Sequence, residues 1–176
     1  MPPDTIDNFP AFTQIYCVTA VPLDHIDYLL LELVQVDATQ PLHELGERVG
    51  LSPSAVQRRL TRLRANGVIT AEVAVVDPRA VGMGLTTVVL VELAEDDADE
   101  YLAFCDLVLA EPAVQQCYSV VGQWDYVVVM VTADLAAYRL ISNDLFVRNK
   151  SVLRYETLPT YERIKAQLAV PLSPSS

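Results

Sequence analysis

The 176-residue chain is poor in the residues that most enzymes and metal sites need: two histidines, three cysteines and six glycines. His25 and His43 both lie in the N-terminal third, and His25 reads as solvated or lightly packed. With them no Ser–His–Asp set, metal-spaced cluster or phosphate-cradling glycine loop is visible, so no catalytic residue, metal or cofactor is expected. Cys17, Cys105 and Cys117 form no CxxC, and their odd number argues against a disulfide framework. Each sits among apolar residues, which predicts buried free thiols. No apolar run approaches the ~20 residues that span a bilayer. The longest candidate, Tyr126 to Val131, has the length of a strand. The N-terminus lacks the basic segment and small-residue cleavage site of a secretory signal, and a cytoplasmic protein is expected.

Basic residues are also scarce. Twelve face twenty-three acids, for a net charge of −11. That sum opposes binding to DNA, whose phosphates dominate non-specific affinity. Distribution matters more. Arg48, Arg58, Arg59, Arg62 and Arg64 fall between residues 48 and 67, where there is no acid, whereas fifteen acids and seven bases follow Ile69. A short cationic patch on an anionic body suits a DNA-contacting element whose remainder stays off the duplex.

What is abundant is apolar, at 52% of residues against 20% charged, enough for a packed core. Residues 1–22 hold four prolines and no base. Ile15 to Val21 is β-prone, and an ordered arm, a mobile arm and sequence upstream of the functional start all fit this composition. Asp24 then offers a helix N-cap with Asp27 three residues on, followed by Ile26, Leu29, Leu30 and Leu33 at helical spacing. Pro41 opens a second helix with Leu42, Leu45 and Val49, closed by Gly50. Ser52 and Pro53 start a third, with Val56, Leu60 and Leu63 inward and Gly67 as its stop. Two helices around a tight Gly50–Leu51 turn give a helix-turn-helix. Ile69–Val76 reads as a strand ended by Asp77-Pro78.

Beyond Gly84 the order is strand (86–93), helix (98–110), strand (114–121), strand (126–132), helix (135–148) and strand (152–161). This βαββαβ series predicts a ferredoxin-like antiparallel sheet with helices on one face and an assembly surface on the other. The fold class is α+β. Its expected divisions are an extension (1–22), a helix-turn-helix domain (23–68), a linker and hinge (69–84), a ferredoxin-like domain (85–168) and a tail (169–176).

On the third helix, Gln57, Arg58, Thr61, Arg62 and Arg64 point away from the apolar stripe. Ser52, Ser54 and Ala55 ring its N-terminus. A helix fits the major groove, where Arg pairs with guanine and Gln with adenine. N–H groups and serine hydroxyls at its N-terminus hold phosphates. Arg59 is ambiguous, able either to contact DNA or to pair with an acid of another helix. An ordinary solvated cationic helix is the competing explanation, weakened by the preceding helix, the short turn and the local lack of acids.

The run Leu23-Asp24-x-x-Asp27, Glu44-Leu45, Leu51-Ser52-Pro53-Ser54-Ala55-Val56-Gln57-Arg58-Arg59-Leu60-x-Arg62-Leu63 and Gly67-Val68-Ile69 resembles the Lrp/AsnC (feast/famine) regulators. Asp77-Pro78…Gly82 and Val120-x-Gly122-x-x-Asp125-Tyr126 extend the likeness, which covers roughly Leu23 to Gln167. The resemblance implies a winged helix-turn-helix, a linking strand and a sensor domain that dimerises through its sheets. It further implies frequent assembly to octamers and an amino-acid effector bound between subunits. It places Gly122, Gln123, Trp124 and Asp125 at the effector, with the last strand (Arg154 to Thr157) nearby and with Tyr118 and Thr157 as further contacts. The loop's chemistry agrees: a glycine turn exposes N–H groups to a carboxylate, and Asp125 accepts from an ammonium. A plain turn with Asp125 as its cap fits the same residues.

Three features depart from the family pattern: Thr39 where many relatives carry Arg, Gly46 where Ala is usual, and the acidic extension. Gly46 is expected to loosen the second helix. Two other functions remain on the table. A siroheme-decarboxylase-like enzyme on the same scaffold is disfavoured by the histidine positions and the arginine-rich helix. A ligand-sensing assembly module without DNA binding is kept alive by the overall acidity. The expected partners are double-stranded DNA, further copies of the chain and the effector.

Overall fold

The computed structural model describes residues 21–94 and 98–172. The β-prone stretch from Ile15 to Ala20, with Cys17, lies outside them. The chain divides into two compact units, Met1–Ala74 with Ala166–Ser176, and Val75–Lys165.

Three helices build the first unit: α1 (His25–Val36), α2 (Leu42–Val49) and α3 (Pro53–Ala65). The signals that start and stop them act as their residue types dictate. Asp24 and Asp27 form a full capping box, each side chain accepting from the other's backbone N–H. Ser52 caps α3 by accepting from Ala55 N–H at 3.3 Å, with Pro53 at the first helical position. Gly50 and Gly67 take the left-handed conformation, φ 71° and 70°. Leu30, Leu31, Leu45, Val49, Val56, Leu60 and Leu63 form one buried cluster.

Gly46 has a role that helix propensity does not reveal. Leu51 N–H donates to its carbonyl at 2.9 Å, so the turn folds directly over α2. A Cβ at Gly46 would collide with the Leu51 carbonyl oxygen. Close backbone approach, and not looseness, is what glycine contributes there.

Ile69–Val76 forms no strand. A strand needs a neighbour for its backbone groups. None among the described residues lies alongside, and Val73, Val75 and Val76 are exposed. The wing that the family resemblance implies is therefore not a hairpin in the single chain. Residues 166–172, expected as the end of the sensor domain and a free tail, belong to the helical unit. Gln35 donates to Val170 O and accepts from Val170 N–H (3.2 and 2.7 Å), while Leu172 packs on the helical cluster.

The second unit opens with a 3-10 turn (Pro78–Val81) capped by Asp77. It continues as β1 (Leu85–Leu93), α4 (Ala98–Ala110), β2 (Val114–Ser119), β3 (Tyr126–Thr132), α5 (Leu135–Ser142) and β4 (Val152–Pro159). The sheet is antiparallel in the order β2-β3-β1-β4, the ferredoxin-like arrangement expected. Boundaries differ at three places. The helix expected over 135–148 ends as a π-helical turn, Asn143–Val147. β2 stops at Ser119 because the chain turns, leaving Val121 fully exposed. β4 stops at Pro159, short of the expected Tyr161, with one further backbone bond from Thr160 N–H to Thr86 O at 2.9 Å.

Alternation along β1 and β3 sends Val89, Val91, Tyr126, Val128 and Met130 against Phe104, Val108, Tyr138, Leu145 and Phe146. The opposite face presents Val88, Leu90, Val127, Val129 and Val131, all half-buried. Among the described residues, no helix of the second unit packs on it. Of the cysteines, Cys105 is half-buried and Cys117 exposed, a departure from the buried thiols expected. Cys117 lies on β2, an edge strand with one neighbour.

Candidate nucleic-acid interface and effector loop

The outward face of α3 carries Ser54, Gln57, Arg58, Thr61 and Arg62, all exposed, with Ser52 at its tip and Ala55 half-buried. Ser52 and Ser54 hydroxyls lie 3.1 Å apart, and Gln57 Nε2 donates to Thr61 Oγ1 at 3.2 Å. These side chains are thus already ordered along one line of the helix. Each retains polar atoms free for a partner.

Three of the five arginines are engaged with carboxylates. Arg59 Nη1 donates to Asp24 Oδ2 (2.7 Å) and Asp27 Oδ1 (2.9 Å). Arg62 Nη2 donates to Asp27 Oδ2. Arg64 grips Glu72 through Nε and Nη2 at 2.9 and 2.6 Å. Arg48 and Arg58 are exposed and have no carboxylate partner among the described residues.

The pairs are not equivalent. Asp27 is fully buried, and Arg59 is only 25% exposed. Hydrogen bonds from Arg59 hold the Asp24 carboxyl below the usual carboxylate range, and the two aspartates raise the Arg59 guanidinium in return. Arg59 therefore ties α3 to the start of α1, the second of the roles open to it. Arg62 differs, because 45% of its side chain remains in solvent beside Arg58 and Thr61. Sequence separation hid this network. Asp24 and Asp27 stand 32 to 35 residues before the arginines they bind.

The loop between β2 and β3 has its own fixed geometry. Gly122 takes φ 151°, a conformation that favours glycine. Asp125 Oδ2 accepts from Leu93 N–H at 2.7 Å, and Asp125 N–H donates to Val91 O at 2.9 Å, which ties the loop to the end of β1. Arg154 stacks on the Trp124 ring at 4.4 Å and donates through Nε to Glu92 at 2.5 Å. Gly122, Gln123, Trp124, Asp125, Glu92 and Arg154 thus gather at one end of the sheet. Glu92 was not legible in advance, since a glutamate on a strand resembles any solvated one.

Tyr118 and Thr157 are not brought together in the chain. Tyr118 is exposed on β2 opposite Val127, on the open face of the sheet. Thr157 sits on β4 at the other edge, its hydroxyl bonded to Tyr138 on the helix-covered side.

Residues 23–64 match the AsnC-type helix-turn-helix domain, and residues 86–170 match the Lrp/AsnC ligand binding domain. The chain belongs to the Lrp/AsnC family. An HTH-type transcriptional regulator of Sinorhizobium fredii is 37% identical over 153 residues, 87% of this chain and 90% of the relative. The glutamate uptake regulatory protein of Zymomonas mobilis is 33% identical, over 88% of this chain and 93% of its own. Among solved structures, a transcriptional regulator of Neisseria meningitidis in complex with L-Met superposes with TM-score 0.79 at 27% identity. It covers 85% of this chain and 97% of that one. This family member is a DNA-binding transcriptional regulator, in a family of transcriptional regulators. Among the described residues no helix is long and apolar enough to cross a membrane.

Proposed function

We propose that this regulator reads DNA with the outward face of α3 and answers to a free amino acid bound at the Gly122–Asp125 loop. One observation carries the first half. Ser52, Ser54, Gln57, Arg58, Thr61 and the open side of Arg62 line up on a face that bears no carboxylate of its own. Arg59 acts inside the domain and is not a base or phosphate contact. In a dimer, two such helices read half-sites about 34 Å apart. The dimer forms through the open sheet face around Val88, Leu90, Val127 and Val129, whose burial removes an apolar surface from water. Four such dimers then assemble to an octamer. Such a protein works in the cytoplasm, where its DNA is, and needs no cofactor.

For the effector, the loop supplies Gly122 and Gln123 N–H groups for a carboxylate and Asp125 for an ammonium. The Trp124–Arg154 stack walls off the side chain. That a Neisseria relative was solved with L-Met supports the amino-acid class, though not that member of it. Tyr118 lies at the open face where a neighbouring subunit completes the site, whereas Thr157 is occupied in the core.

A thermal-shift panel of the common amino acids tests this, because a ligand of the folded state raises stability by mass action. A shift with one or a few amino acids is expected, lost in Arg154→Ala. A panel without any shift rejects the effector. A salt titration of DNA binding tests the other half: affinity independent of salt leaves a sensor module without a DNA-reading face.

A further inference from the structure

We infer that Asp27 is a positioning residue for DNA reading, holding the Arg62 guanidinium ready at the edge of the reading face. The inference rests on α3 being the reading element. Its observations are separate.

A clamp between α1 and α3 needs one arginine, and Arg59 already supplies it by binding both Asp24 and Asp27. The second oxygen of a fully buried carboxylate is nevertheless given to Arg62, whose side chain is 45% exposed. The Asp24 N–H completes that oxygen's shell at 3.1 Å. The carboxylate is therefore immobile, fixed by two guanidinium groups and a capping box on a helix start. Arg62 stands on the boundary of the helix, one turn beyond Arg58 and beside Thr61. Its Nη2 is bound, and its Nε and Nη1 take no protein partner among the described residues.

Arginine is a planar fork that grips an anion with two parallel bonds. Held at Nη2, it presents its remaining N–H groups in a set direction. An unrestrained arginine has to be ordered at the moment of binding, and pre-orientation removes that loss. Asp27 touches no DNA. It sets where one contact points, and so affects discrimination between duplexes more than overall electrostatic attraction.

The test is a double-mutant cycle on Asp27→Asn and Arg62→Ala, read by fluorescence anisotropy well below the melting temperature. The probe is a duplex enriched from a random pool by the wild-type protein, against a scrambled duplex of equal composition. Asp27→Asn should weaken the enriched duplex roughly tenfold and leave the salt slope unchanged, since no cation is lost. In the Arg62→Ala background the same substitution should have almost no further effect. Equal losses in both backgrounds, or none in the first, overturn the inference. Should Asp27→Asn fail to fold, Arg62→Lys serves, keeping the charge without the fork. It should lose affinity at constant salt slope, and wild-type affinity there also overturns the inference. Arg58→Ala separates the underlying assumption: unchanged binding in that variant means α3 does not face DNA at all, and the inference fails with it.

Discussion

Arg58 and Arg59 are sequence neighbours of the same type, and the structure gives them opposite tasks. Arg58 is exposed without a carboxylate, whereas Arg59 lies between Asp24 and the buried Asp27. Replacing Arg58 by Ala should remove one phosphate contact per recognition helix. Each contact contributes about 0.9 to the slope of log affinity against log salt. A dimer with two such helices should therefore lose about 1.8 from the slope. Raising salt from about 50 to 200 mM would then weaken the wild type roughly twelvefold more than the variant. Folding should not change, because an exposed arginine outside any network contributes little. Arg59→Ala should do the reverse. It strips a buried carboxylate of one of two partners, and half-exposed Asp24 loses less, so about 2 kcal/mol is expected, below the range for complete loss of a buried partner. For a unit this small, that is a fall of roughly 8–16 °C in melting temperature. At temperatures where it is folded, its salt slope should match the wild type. Anisotropy titrations at several salt concentrations, with melts followed by circular dichroism, provide both readouts. An equal change of slope in the two variants would refute the division of labour.

Other parts of the fold make equally definite demands. Thr87 is fully buried with no hydrogen-bond partner for its hydroxyl. Thr87→Val keeps the β-branched shape and removes the orphan, so a gain of about 1 kcal/mol is expected in a thermal melt, and a loss would show that the hydroxyl is satisfied. Gly46→Val sets a branched side chain against the Leu51 carbonyl. About 1–3 kcal/mol of destabilisation should follow, and an unchanged melt would mean the turn yields freely. Arg59 holds the Asp24 carboxyl below its usual range, so this contribution is whole above the unfolded value near 4 and fades as pH falls through the folded one. Melts between about pH 5 and pH 2 should decline less steeply in Asp24→Asn, which keeps the cap but not the charge, and parallel profiles would count against the pairing.

Much of this architecture is written locally. Asp24 and Asp27, Ser52 and Pro53, Gly50 and Gly67 each act on backbone groups within a few residues, so the helix limits in the first unit are readable without tertiary information. Alternation in β1 and β3 likewise marks which side of each strand is buried, and the strand–helix order prescribes the antiparallel sheet. The outward side of α3 is a matter of helical period alone. Tertiary structure decided everything that depends on distant partners. Whether Arg59 and Arg62 remain free is set by aspartates more than thirty residues away, because the fold lays the start of α1 across α3. Ile69–Val76 has the composition of a strand but lacks a neighbour to pair with among the described residues, and Val170 reaches Gln35 across 135 residues. A periodic pattern fixes which way a side chain points; only packing fixes what it meets.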